Sequence, residues 1–168
     1  VNYVNYVLSD TILYIFVVNR KYNQILALPV GSEFYDNIKQ FRKLLSMPEP
    51  SDDALTAFNN YQVTGFELYK ILIEPIRPYL ISEMLIISPD NMLSYLPFET
   101  IPTGMISQSR PLYKAIPYMM NYFDISYTYS ATFLAESKKE GFGFRNNVLA
   151  FAPNYPDPID IQKVLINR

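Results

Sequence analysis

The 168-residue chain contains no histidine and no cysteine. The first absence removes the side chain that most readily takes a proton near neutral pH, so a serine or threonine nucleophile here has no imidazole to activate it. The second removes thiolate nucleophiles, disulfides and thiolate metal sites together, and thiol redox chemistry with them. A cysteine-free composition fits a reducing compartment, which sets the expectation of a cytoplasmic protein. Concentrated positive charge is also missing. The net charge is −2, and the adjacent basic pairs are Arg20-Lys21, Arg42-Lys43 and Lys138-Lys139, scattered along the chain. Nucleic-acid binders gather Lys and Arg on one face to displace counterions from phosphates, so no nucleic-acid partner is expected. Long apolar runs are lacking as well: stretches such as Ile12–Val18 fall far short of the ~20 residues of a spanning helix, so no membrane partner is expected.

What is present reads as globular. Apolar residues make up 49% and charged residues 18%, with fifteen tyrosines, whereas disorder needs few aromatics and a charge imbalance. The length is that of a single domain, here residues 1–168, which buries roughly 70% of the surface its unfolded form exposes. The chain opens at Val1 in a strand-like run and stops at Arg168 in a helix-like one, so it is expected to be a piece of a longer polypeptide.

Three β-rich runs, 3–8, 11–18 and 24–30, are joined by polar turns and read as an antiparallel meander. The middle run is apolar on both alternating faces, which predicts cover on both sides. Ser32 caps a helix with Phe34, Ile38, Phe41 and Leu45 at helical spacing, closed by Met47-Pro48-Glu49-Pro50. A longer helix follows Asp52, its stripe formed by Leu55, Phe58, Tyr61, Gly65, Leu68 and Leu72, with Gly65 permitting close packing. The apolar run 84–87 reads as an interior strand, and Pro89-Asp90-Asn91 as a turn. Four prolines between 97 and 121 limit regular structure there to brief turns. The run 124–129 alternates with period two, placing Ile125, Tyr127 and Tyr129 on one apolar face, and Ser130 caps a short helix. Residues 148–152 read as a further buried strand and 159–166 as the start of a helix. The fold class is α/β: a mixed sheet with an N-terminal antiparallel meander and helices packed on it.

Groups with chemical potential are few. Ser88 and Ser94 flank the turn, but no lysine lies in that segment to act as a base, so Ser88 is read as supporting the turn by a local hydrogen bond. Asp52-Asp53 opens a helix, where negative charge suits the dipole, and Asp157 and Asp160 flank Pro158. Asp90-Asn91 supplies too few oxygens for a calcium loop, so no metal is expected. Gly141 and Gly143 follow a helix and precede a strand, the reverse of a phosphate-binding loop, and no cofactor is expected. Tyr113, Tyr118, Tyr122, Tyr127 and Tyr129, with Met119-Met120, serve either as an interaction surface or as the domain's own core.

The segment Met84-Leu85-Ile86-Ile87-Ser88-Pro89-Asp90-Asn91-Met92-Leu93-Ser94-Tyr95-Leu96-Pro97-Phe98-Glu99 joins a buried strand, a tight turn and a Leu-Pro-Phe-Glu element in a fixed order. With the alternating run ending in Ser130-Ala131, and the run ending in Pro153, it resembles the first half of the CHAT family of caspase-like cysteine peptidases. The resemblance marks Pro89, Asp90, Asn91, Leu93, Leu96, Pro97, Phe98, Glu99 and Ser130 as structural signature positions. Asn91 stands where the family usually has glycine, and asparagine accepts the same backbone angles. The family's catalytic His and Cys belong to its second half, so no catalytic residue carries over to this chain. The resemblance implies a pseudo-caspase-like, non-catalytic portion partnered by a downstream catalytic half of the same protein and by an N-terminal helical-repeat region. The alternative is an autonomous protein-interaction module that has lost peptidase chemistry.

Overall fold

The computed structural model describes residues 1–46 and 54–139. The chain divides into two units, Val1–Glu136 and Ser137–Arg168. The first contains a five-stranded mixed sheet with helices packed on it.

Strands β1 (Asn2–Leu8), β2 (Ile12–Val18) and β3 (Asn23–Pro29) form the expected antiparallel meander. Helices α1 (Ser32–Ser46) and α2 (Ala54–Leu72) follow, then a 3-10 stretch over Glu74–Tyr79 that accommodates Pro75 and Pro78. Strand β4 (Met84–Ser88) then pairs parallel to β1, and β5 (Asp124–Tyr127) parallel to β4, giving the order β3-β2-β1-β4-β5. Helix α3 (Ala131–Lys139) follows Ser130, whose carbonyl accepts the Leu134 N–H at 3.2 Å, as a residue at the N-cap does. The predicted strand at 148–152, the helix at 159–166, the glycine pair 141 and 143, and Asp52, Asp53, Asp157 and Asp160 lie outside the described residues.

Register explains the core. Val4 faces Val17 and Ile87, Tyr6 faces Ile15, and Leu8 faces Leu13, so one sheet face is an unbroken apolar surface. It is sealed by Phe34, Ile38 and Phe41 of α1 and by Phe58, Leu68 and Leu72 of α2, all buried. The Tyr6 hydroxyl reaches across to donate to the Leu72 carbonyl at 2.9 Å. Gly65 has the predicted role: a Cβ there would lie 2.6 Å from Phe41 Cε2 and closer still to Pro102 Cδ. Only a glycine lets α2 approach so near.

Two expectations need correction. The second face of β2 is not sealed. Leu13, Ile15 and Val17 are fully buried, but Ile12, Tyr14 and Phe16 are half-buried and Val18 is exposed. On the same side Ile25 and Met84 are 62% and 52% exposed. Both long helices pack on the Tyr6 side, so apolar content on two faces marks β2 without guaranteeing two covers. The alternating run is also shorter as a strand than 124–129: β5 ends at Tyr127, with Ile125 half-buried and Tyr127 and Tyr129 exposed. Among the described residues β5 lies at the sheet margin, where a tyrosine body meets water on one side.

Candidate functional site

The Leu-Pro-Phe-Glu region sits at the carboxyl ends of β4 and β5, the position where open α/β sheets form ligand-binding crevices. Past Ser88 the chain turns through Pro89 and an extended Asp90 to Asn91, whose φ of 49° is the left-handed value anticipated from its identity. A 3-10 turn over Asn91–Tyr95 follows, then Leu96, Pro97 and a second 3-10 turn over Phe98–Thr100. Leu93, Leu96 and Phe98 enter the core, and the Phe98 ring lies 5.5 Å from that of Tyr6.

The polar members are bound into this scaffold. The Asp90 carboxylate accepts the Leu8 N–H at 3.1 Å, fastening the turn to β1. Ser88 does not make the local turn bond expected of it: buried, it donates its hydroxyl to the Tyr129 carbonyl at 3.3 Å, across to the segment after β5. The local bond belongs to Ser94, which donates to the Pro89 carbonyl at 3.2 Å. Tyr127 is the hinge pin of the region. Its hydroxyl donates to Glu99 Oε2 at 2.7 Å and accepts the Phe98 N–H at 3.0 Å. Although the residue is 46% exposed, withdrawal of its hydroxyl from water, and then the hydrogen bond to Glu99, hold this phenol well above its ordinary pKa.

Two recesses open here, with Ser94 and Tyr127 lining both. One, of about 350 Å³, is completed by Pro89, Thr128 and Tyr129. The other, of about 420 Å³, is completed by Tyr95, Leu96, Pro97 and Glu99. Tyr95 is 66% exposed and carries the Arg42 guanidinium 4.7 Å above its ring centre, while Tyr129 is 97% exposed. No protein-family model matches this chain, and no curated protein matches it.

Chemically the mouth pairs one carboxylate, Glu99, with one phenol, Tyr127, and among the described residues neither Ser88 nor Ser94 has a basic partner. The hydroxyls of Ser88, Ser94 and Tyr127 donate to carbonyls or to Glu99, and among the described residues no group of three His, Cys, Asp or Glu side chains could hold a metal ion. The signature residues Pro89, Asp90, Asn91, Leu93, Leu96, Pro97, Phe98 and Glu99 gather in this mouth, and Ser130 stands just past it at the start of α3. Sequence reasoning placed Tyr127 on an apolar strand face and among tyrosines serving as interaction surface or core, and missed its hydrogen bond to Glu99. Its signal was a hydroxyl on a strand whose neighbouring loop supplies an acid, legible only once β4 and β5 are paired.

A third recess, of about 490 Å³, lies among Leu44, Leu45, Tyr61, Thr100, Tyr113, Tyr118 and Met120. The Tyr61 ring packs edge-on to those of Tyr113 and Tyr118, and its hydroxyl donates to the Thr100 carbonyl at 2.6 Å. The tyrosine-methionine group thus divides between two roles. Met119 is core, whereas Tyr113, Met120 and Tyr122 are exposed.

Proposed function

We propose that this chain is the non-catalytic, scaffolding half of a caspase-like peptidase of the CHAT type, supporting a His/Cys half encoded beyond Arg168. The observation that carries the reading is the use made of the signature segment. Leu85, Ile87, Leu93, Leu96 and Phe98 are buried in the core, and Asp90, Ser88 and Ser94 each tie one piece of backbone to another. None is left poised as a nucleophile with a base. A segment used in this way fixes the carboxyl ends of β4 and β5 and can hold a neighbouring element in register. The apolar, half-covered sheet face through Tyr14, Phe16, Ile25 and Met84 adds support, because a scaffold presents surface for another part to cover.

Reading the coding sequence past Arg168 tests the proposal. It requires a histidine near the end of one strand-like run and a cysteine near the end of the next. A reading frame that closes without both sinks it and leaves the interaction module as the better account.

A further inference from the structure

Among the described residues lining the recess, Glu99 is the charged one. The Glu99 carboxylate is half-buried, with Oε2 held by the Tyr127 hydroxyl, and it makes no ion pair among the described residues. The other described side chains lining this recess, Tyr95 and Tyr127 among them, are uncharged. The one cation stacked nearby, Arg42, lies over the Tyr95 ring and does not pair with Glu99.

We infer that this trough binds an extended peptide segment bearing a Lys or Arg side chain, with Glu99 meeting its charge. The charge complementarity fixes the class of side chain, and three further features fix the polypeptide. The two recesses share Ser94 and Tyr127, so they adjoin as a pair. Side chains on one face of an extended strand recur every ~6.6 Å, which suits adjoining recesses rather than one deep pocket. The exposed rings of Tyr95 and Tyr129, with Pro89 and Pro97, give the flat aromatic and proline walls that peptide grooves use. The Arg42 contact also demonstrates that a guanidinium settles on an aromatic face at this mouth. A phosphate-bearing ligand is disfavoured by the same carboxylate. Binding here is independent of whether a His and a Cys lie beyond Arg168.

The test titrates the isotope-labelled chain with capped pentapeptides, acetyl-Ala-Ala-Xaa-Ala-Ala-amide, where Xaa is Arg, Lys, citrulline or Glu, and follows backbone amide shifts. Arg and Lys peptides should shift the amides of Ser94, Glu99, Tyr127 and Thr128. Citrulline, of the same shape without the charge, should bind about tenfold more weakly, as expected for loss of one charge-assisted hydrogen bond. Glu99→Gln keeps an oxygen for the Tyr127 hydroxyl, so the fold is retained and the preference for Arg over citrulline should vanish. Tyr129→Ala, at an exposed ring, should weaken all four peptides without lowering the melting temperature. Equal binding of Arg and citrulline peptides overturns the inference. So does a preference that survives Glu99→Gln, a shift pattern centred elsewhere, or no shift at millimolar peptide.

Discussion

Tyr6 shows how much one side chain carries in this fold. It lies on the sealed face of the central strand, packs against Phe98 and donates its hydroxyl to Leu72, so it links sheet, helix and signature segment at once. Complete burial, with a smaller contribution from Tyr127, raises its phenol pKa far above 10. The folded state therefore keeps the proton that the unfolded state releases above pH 10. The stabilisation is fully present below that pH and is lost as pH rises, at about 1.4 kcal/mol per unit for this one group. Tyr6→Phe should cost about 1 kcal/mol at pH 7 through the lost hydrogen bond. It should also flatten the alkaline decline measured by urea unfolding between pH 8 and 11. A variant that declines as steeply as the parent would show that Tyr6 is not the group titrating. At this scale the sequence was informative where identity alone decides geometry, as for Asn91, whose side chain tolerates the left-handed backbone found there. It was silent where a partner decides. Ser88 and Ser94 are both hydroxyls beside a turn, and only the arrival of Tyr129 separates the cross-strand bond from the local one.

Among the elements, α2 is the one whose packing leaves least room for change. Alanine is a better helix former than glycine by about 1 kcal/mol, so Gly65→Ala would stabilise an isolated helix. Here its methyl would meet Pro102 and the Phe41 ring, and overpacking of this kind costs about 1–3 kcal/mol. Net destabilisation by thermal unfolding is the expected outcome, and a raised melting temperature would mean that α2 and the loop at Pro102 separate more easily than their contact implies. The helices, the meander and the interior strand were legible because period and punctuation are local properties: Phe34, Ile38 and Phe41 recur at helical spacing wherever the chain folds. The exposure of β5 was not legible. Alternation marks one face of Asp124–Tyr127 as apolar, but its place beside β4 at the sheet margin depends on pairing with residues some forty positions earlier.

At the scale of the whole molecule, the sheet is finished on one side and partly open on the other, with the signature loop closing the mouth of its parallel half. The candidate site was half legible. The loop's residues announced a turn and a buried anchor, whereas the trough exists only because Tyr127 comes across from β5 to meet Glu99. Without imidazole or thiol in the sequence, the role proposed for this chain is support rather than bond cleavage. Amide hydrolysis is the direct measure: residues 1–168 and the polypeptide extended beyond Arg168 are each purified and assayed against one broad peptide library at neutral pH. The account predicts turnover only by the extended polypeptide, abolished there by replacing its cysteine, and turnover by residues 1–168 alone would contradict it.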